Sequence, residues 1–328
     1  MDGSVVYGST NCEARALRLF IGGKMNYTNL GRFNPETLPQ SASAEECESF
    51  PRAPCFRAGD DRNSLHPLLI VLHTAFLRKH NDIVEQLANL NAHWDDERLY
   101  QEARRIISAM LVHFNYNEYL PKVLGLETMA KYDLTPKSSG YYEGSTDGLL
   151  MGMLKSSAMA LDTYATTAVR NFLFSIPGRA RSGMDLITIN ILRAREHGVQ
   201  PYNDFRELCG TGRAHSWGDL SKDMRDDAVY EDVDDIDLFS GLLSEIPKKG
   251  SLIPPTMSCL VAEQFARLKK CDRFYYENGG QAGSFTPEQL DELRKLTLSS
   301  LFCSTSFILD RLQPDSFSVP DHLKYVET

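Results

Sequence analysis

A mainly α fold is what this 328-residue sequence predicts, and three features point to it. Two long stretches carry apolar residues at every third or fourth position, which is the helical period. No stretch of useful length alternates apolar and polar residues as a half-buried strand does. The sequence Thr-Pro-Glu-Gln at 286–289 has the form of a helix N-terminus with proline at its first position. We therefore expect one large helical domain over residues 1–328, although the length would also suit two average domains.

The predicted elements follow in order along the chain. Residues up to about Arg57 are rich in Gly, Asn, Pro and Ser and predict loops and short turns. Asp95 or Asp96 can cap the clearest helix, whose apolar stripe runs from Leu99 to Phe114. Further helices are predicted over residues 66–89, 148–174, 184–196, 257–269 and 287–298.

Charge and hydropathy exclude two classes of partner. The formal net charge of −9 argues against a nucleic-acid or anionic-membrane surface, since both need clustered Lys and Arg. The longest apolar run, 68–72, is far short of the roughly 20 residues that span a bilayer. The acidic run at 223–237 is more typical of a solvated loop than of a metal site. The start of the sequence, Met1-Asp2-Gly3-Ser4, has none of the features of a signal peptide.

Seven cysteines leave two interpretations open. Cys47 and Cys55 flank two prolines in a predicted loop, a spacing that suits a local disulfide in an oxidising compartment. Reduced core cysteines fit the spacing equally well. The odd count leaves at least one thiol unpaired or one partner missing, which hints that the chain is incomplete.

Several long, ordered segments carry a family resemblance. They are DGSVVYGS (2–9), CFRAGDDR (55–62), LHTAFLRKHN (72–81), WDDERLYQEAR (94–104), YNEYLPKVLG (116–125), NILRAREHG (190–198), PYNDFRELCG (201–210), CDRFYYEN (271–278) and FTPEQLDELRK (285–295). Together they resemble the animal haem peroxidase superfamily, the group of myeloperoxidase, peroxidasin and peroxinectin. The resemblance implies an all-α peroxidase fold, a haem b cofactor, and hydrogen peroxide and a small reducing donor as substrates. It also implies secretion.

The resemblance assigns roles to three side chains. Arg62 matches the arginine that stabilises charge over bound peroxide, a role that suits a permanent cation. Without the family, an arginine after Gly-Asp-Asp would be interpreted as half of a surface ion pair. Asn190 matches the asparagine that accepts a hydrogen bond from the axial histidine, and Arg193 matches an arginine that pairs with a haem propionate. Without the family, these two are an ordinary pair on a helix.

Other family positions depart from the pattern or carry less meaning. Leu65 stands where many members have a glutamate that esterifies the haem, so that covalent link is absent. His66 follows it, and His197 belongs to a structural corner, so neither is expected to bind iron. Asp2 and Ser4 match two ligands of the family's calcium loop, but calcium needs six to eight oxygens and two do not make a site.

Two family segments that supply histidines have no counterpart in the sequence. The distal histidine belongs to a helix upstream of the DGSVVYGS element, so it is expected before residue 1. The proximal histidine belongs to a long segment that the family inserts where this sequence joins Gly144 directly to Ser145. His73, His80 and His113 are the obvious substitutes, and all three are better interpreted as structural residues. Loss of a central helix is expected to expose its packing partners.

Three functional hypotheses remain. The first is a haem peroxidase, impaired by the two gaps. The second is a non-catalytic truncated product, at most an interaction module. The third, a peroxinectin-like adhesion protein, rests on the family alone, since the sequence contains no RGD or KGD tripeptide.

Overall fold

A computed structural model describes residues 2–31, 36–41, 55–136, 158–176, 178–225, 229–306 and 312–318. Within these ranges the chain is helical, and its only β structure is a set of isolated bridges, which confirms the predicted mainly α class. The helices are α1 (Ser4–Tyr7), α2 (Asn11–Ala16), α3 (Pro67–Leu90), α4 (Asp96–Phe114), α5 (Leu120–Leu124), α6 (Leu126–Lys131), α7 (Thr167–Asn171), α8 (Leu186–Glu196), α9 (Tyr202–Leu208), α10 (Trp217–Leu220), α11 (Leu238–Ser244), α12 (Pro255–Lys270), α13 (Pro287–Arg294) and α14 (Leu298–Ser304). Short 3-10 turns lie at Asp61–Ser64 and Val233–Asp235, and a π turn lies at Asn115–Tyr119.

The two long predicted helices are confirmed, and their caps explain where they begin. His66 caps α3 by accepting a hydrogen bond from Leu68 N, and Pro67 takes the first helical position, where its missing N–H is no loss. Asp95 caps α4 through a hydrogen bond from Arg98 N. The predicted helices at 184–196 and 257–269 correspond to α8 and α12, with boundaries two residues different at most at either end.

Two of the helix predictions need correction. The helix predicted over 148–174 is wrong for the described part of that range, because residues 158–166 are irregular and only α7 is helical. The helix predicted over 287–298 ends at Arg294, and Thr297 then caps the separate helix α14. Thr286 and Gln289 form the predicted capping box of α13.

The chain divides into two compact units, each made of separate stretches of sequence. Unit 1 comprises residues 1–119, 136–157 and 272–328, and unit 2 comprises 120–135 and 158–271. In unit 1, α3 packs on α4, while α14 packs on α3 and α13 on α4. The core of unit 1 is apolar and includes the fully buried side chains of Tyr7, Leu77, Tyr100, Ile107 and Met110.

The core of unit 2 surrounds Tyr202, which is fully buried with Leu220 and Ile236 among its neighbours. A disulfide between Cys209 and Cys259 joins the end of α9 to α12. The acidic run at 223–237 contributes two buried apolar residues, Val233 and Ile236, which pack into this core.

Part of unit 2 is poorly covered. Neither α7 nor α8 contains a buried residue, although both carry apolar side chains. Large exposed apolar residues of this region are Met159, Tyr164, Phe172, Phe174, Ile176, Met184, Leu192, Val199 and Leu208. Such a concentration is unusual for a soluble monomer surface and marks an incompletely packed face.

No described helix is both long and apolar enough to cross a membrane.

Candidate functional site

The segment that carries Arg62 is fixed by backbone contacts. Asp60 caps the 3-10 turn Asp61–Ser64 by accepting a hydrogen bond from Arg62 N at 2.8 Å. Gly59, just before it, lies so close to α1 that a Cβ atom there would stand 2.2 Å from Ser4 O and 2.3 Å from Gly8 N. Glycine is therefore required where the turn meets the N-terminal helix.

Arg62 itself is held by the residue that caps its turn. Its Nε lies 2.9 Å from Asp60 Oδ1 and its Nη2 lies 2.6 Å from Asp60 Oδ2, so the ion pair is bidentate. The Arg62 side chain is 76% exposed while that of Asp60 is 18% exposed. Hydrogen bonds from Arg62 lower the pKa of the Asp60 carboxyl to about 2. The surface ion pair that the bare sequence suggests is thus present.

Arg62 opens onto an apolar cleft of unit 1 with a volume of about 390 Å³. Among the described residues that line it, the polar side chains are those of Asp60, Arg62 and His73. The apolar lining consists of Val5, Val6, Leu65, Leu69, Leu72, Phe76 and Leu111. A cation at the edge of a largely apolar cleft is an arrangement that can orient a small polar reactant.

His73 shares this cleft, where its surroundings favour the neutral form of the ring. Burial lowers the pKa of His73 below its ordinary value, opposed by the charge of Asp60 and by a hydrogen bond with the backbone of Val5. The sequence predicts a structural role for His73, and helical spacing alone does not reveal its place beside Arg62.

The candidate calcium residues lie at the start of α1. Asp2 Oδ1 accepts a hydrogen bond from Ser4 N at 3.1 Å, and the Asp2 carbonyl accepts one from Ser108 Oγ at 2.9 Å. The described part of the chain contains no cluster of three or more His, Cys, Asp or Glu side chains suited to a metal ion. The Asp2 carboxylate is thus turned to the backbone of α1, and the assignment of Asp2 and Ser4 to a calcium loop stays a prediction.

Asn190 and Arg193 lie in unit 2, one turn apart on α8. Asp185 caps this helix with hydrogen bonds from Ile187 N and Thr188 N. Arg193 is exposed and forms a loose ion pair with Glu196 at 3.4 Å, while Asn190 is half-buried. Arg62 belongs to unit 1, so the three predicted site residues are divided between the two units, and each group is described within its own unit.

Two further histidines are engaged in the core of unit 1. The ring of His80 is fully buried and has hydrogen-bond partners at both nitrogens, Tyr7 and Gly23. Nδ1 of His113 lies 2.9 Å from the hydroxyl of Tyr276. Burial lowers the pKa of each ring to about 4, so both stay neutral at physiological pH. Both therefore serve the structure, as predicted.

The predicted disulfide between Cys47 and Cys55 can be compared with the structure at Cys55. Cys55 is a disulfide cysteine, and Cys47, the partner that the spacing suggests, lies outside the described residues. The Cys209–Cys259 bond was not predicted, because 50 residues separate the two cysteines and spacing alone gives no connectivity. Cys12 and Cys271 are free thiols.

Comparison with known proteins decides the family. The family model described as animal haem peroxidase matches residues 1–147 and again 138–317. The chain belongs to the animal haem peroxidase family. It is 32% identical to Heme peroxidase 2 of Caenorhabditis elegans over 386 aligned residues, covering 97% of this chain and 53% of the relative. It is also 32% identical to Peroxidase of Drosophila melanogaster over 394 aligned residues, covering 98% and 56% respectively.

A solved structure with the same fold is Peroxidase A of Dictyostelium discoideum. The two superpose with a TM-score of 0.76 at 25% identity, covering 96% of this chain and 70% of that protein. This chain of the animal haem peroxidase family spans about half the length of the curated relatives it matches.

Proposed function

We propose that this chain is a form of a peroxide-dependent oxidoreductase in which one family segment, the one that supplies the iron ligand, is missing. The observation that carries the proposal is Arg62, a permanent cation held at the mouth of an apolar cleft in a member of the haem peroxidase family. The substrates of this oxidoreductase would be hydrogen peroxide and a small reducing donor. Arg62 would place positive charge beside bound peroxide, where charge develops as the oxygen–oxygen bond breaks.

The join between Gly144 and Ser145 is where we place the missing segment, and the alignments support this. The match to the family model is broken into two pieces that meet at residues 138–147. The Drosophila relative aligns over 394 positions although this chain has 328 residues, so at least 66 positions have no residue here. The lack of buried residues in α7 and α8 supports the proposal, since loss of a packing neighbour would leave such helices uncovered.

Haem is the cofactor that the family implies, and the described residues fit it only in part. Haem would supply the redox chemistry, while the protein supplies an axial ligand and the surrounding charges. Arg62 suits the peroxide side, and Asn190 and Arg193 would suit an axial histidine and a propionate.

The axial ligand is the part that does not fit. His80 has hydrogen-bond partners at both ring nitrogens, and His113 is bonded through Nδ1 to Tyr276 while its Nε2 is buried in the core, so neither ring is open to an iron. His73 lines the same cleft as Arg62 and is bonded to the backbone of Val5, so it would lie on the peroxide side rather than opposite it. We therefore derive no reaction step through the haem, and we infer that catalysis by this chain is impaired.

The test compares this chain with a version in which the segment encoded in relatives is restored between residues 144 and 145. After addition of haem, the restored protein is expected to show a Soret band and to oxidise a phenol with hydrogen peroxide. This chain is expected to show neither at a comparable level. Equal turnover by both would refute the impairment, and an inactive restored protein that still binds haem would refute the peroxidase assignment.

A non-catalytic product is the second candidate, favoured by the exposed apolar surface of unit 2. Sequencing the transcript across the codons for Gly144 and Ser145 separates the two possibilities. A message that always lacks the segment supports a dedicated non-catalytic protein, such as an adhesion or interaction module.

An extracellular location fits both candidates. The Cys209–Cys259 disulfide supports an oxidising compartment, because such bonds are rare in a reducing cytosol. Calcium binding at Asp2 and Ser4 would need further oxygen ligands beyond these two.

A further inference from the structure

The side chain of Arg62 is long, cationic and mostly exposed, and such a side chain usually samples many rotamers unless a neighbour holds it. Its backbone is fixed by the contact of Gly59 with α1 and by the cap from Asp60. Asn63, which is 2% exposed, adds a hydrogen bond from Nδ2 to the Asp60 carbonyl at 2.9 Å. The backbone around Arg62 is therefore rigid, while the side chain of Arg62 projects away from it.

One carboxylate performs two tasks at this position. Asp60 Oδ1 accepts from both the amide and Nε of Arg62, and Oδ2 accepts from Nη2. The first contact closes the 3-10 turn, and the other two align the plane of the guanidinium. Because Asp60 is largely buried, it can move little when the guanidinium moves.

We propose that Asp60 is a positioning residue that sets the orientation of the Arg62 guanidinium at the mouth of the apolar cleft. The inference rests on the proposed function for its catalytic meaning, but the orientation itself is a property of this chain. Asp60 touches neither peroxide nor cofactor and acts only through Arg62. A lysine at position 62 could not replace the arginine, because it lacks the planar fork that Asp60 engages.

The test measures how readily Arg62 reacts with an α-dicarbonyl reagent such as phenylglyoxal, followed by peptide mass spectrometry. Asp60→Asn keeps one side-chain oxygen to accept from Arg62 N but loses the carboxylate that binds the guanidinium through two oxygens. Arg62 is therefore expected to react about two- to fivefold faster, a factor that corresponds to the free energy of an exposed ion pair. Asp61→Asn, at the exposed neighbour, is expected to leave the rate unchanged. Asp60→Glu is expected to restore part of the protection.

Arg195 provides a reference within the same molecule. It forms a similar bidentate pair with Asp237, at 2.8 and 2.6 Å, and is also mostly exposed. Its reaction rate should stay constant in every variant. An Arg62 rate that is unchanged in Asp60→Asn, with Arg195 as reference, would overturn the proposal. Should Asp60→Asn lower the stability, the rate is measured at a urea concentration far below its unfolding transition.

A second readout addresses catalysis in the haem-loaded protein with the restored segment. Asp60→Asn is expected to lower the rate constant for peroxide by a similar factor and to leave the KM for the donor unchanged. A change in the donor KM alone would contradict a role through Arg62. An inactive restored protein would count against the proposed function, while the modification rates would still decide the role of Asp60.

Discussion

The hydroxyl of Tyr7 lies 2.8 Å from Nδ1 of His80 in the core of unit 1. The other ring nitrogen, Nε2, lies 2.9 Å from the carbonyl oxygen of Gly23. We assign the ring proton to Nε2, since a carbonyl can only accept, so Nδ1 accepts from the Tyr7 hydroxyl. Both residues are fully buried, and this pair ties α1 to α3.

Tyr7→Phe should destabilise the protein, because it leaves a buried ring nitrogen of His80 without its donor. The expected loss in the free energy of unfolding is about 1–3 kcal/mol. Urea unfolding at pH 7 measures it. Tyr119→Phe is the matched control, since Tyr119 is 39% exposed and its ring contact with Phe317 survives the change. Equal losses in the two variants would show that the buried hydrogen bond contributes nothing.

Stability should fall as the pH drops from 6.5 towards 4. Burial lowers the pKa of His80 and of His113 to about 4, so in this window the unfolded chain takes up protons that the folded chain does not. Each histidine then lowers the free energy of unfolding by about 2 kcal/mol at pH 5 relative to pH 7.

The variant His113→Gln isolates this effect. Its free energy of unfolding should depend less on pH between 7 and 5 than that of the parent chain. Burial raises the pKa of Glu245, which acts in the opposite direction at the acidic end, so the difference between the two proteins is the useful quantity. Parallel pH profiles would contradict the prediction.

Gly59→Ala should be strongly destabilising, because the added methyl group would meet the backbone of Ser4 and Gly8. Neither backbone atom can move without displacing α1, so the expected cost is about 3 kcal/mol or more. Gly279→Ala is the control, since its Cβ would meet nothing within 4 Å. Thermal unfolding of both variants provides the measurement, and a tolerant Gly59→Ala would mean that the turn is not anchored on α1.

Removal of the Cys209–Cys259 disulfide should destabilise unit 2. Closing a loop of 50 residues is worth about 4 kcal/mol in the chain-entropy account. The double variant to alanine is compared with Cys12→Ala, which removes an exposed free thiol. Urea unfolding is followed by the fluorescence of Trp217 in a Trp94→Phe background, so that the signal reports on this unit. A double variant as stable as Cys12→Ala would rule out a contribution from the cross-link.

The exposed apolar face of unit 2 should bind a hydrophobic dye and promote self-association. The double variant Phe172→Ser, Leu192→Ser is expected to reduce both, because these side chains are 60% and 58% exposed. Leu90→Ser removes a similarly exposed apolar side chain of unit 1 and serves as the control. Dye fluorescence and light scattering at increasing concentration give the measurements, and an equal effect of Leu90→Ser would show that the face has no special role.

The long helices were predictable from the sequence because their apolar stripes and caps are local signals. The helix predicted over 148–174 is wrong for residues 158–166, because apolar spacing there does not show whether a partner exists to pack against. Short helices such as α9 and α10 escape prediction, since fewer than three turns give little periodicity.

The candidate site was predictable in its residues and not in its geometry. Arg62 could be singled out by its motif, and the ion pair with Asp60 follows from two neighbouring positions of the sequence. The contact of Gly59 with α1 could not be foreseen, because the two segments lie some fifty residues apart in sequence. His73 shares the cleft for the same reason: only the packing of α3 beside α1 brings it there.

The close approach of Gly59 to α1 has a mechanical consequence. Residues 2–8 and the turn that bears Arg62 meet backbone to backbone, with no flexible side chain between them to absorb a displacement. A shift of the N-terminal helix by a few tenths of an ångström must therefore move the arginine as well. The position of Arg62 at the cleft thus depends on how the first residues of the chain pack against the turn.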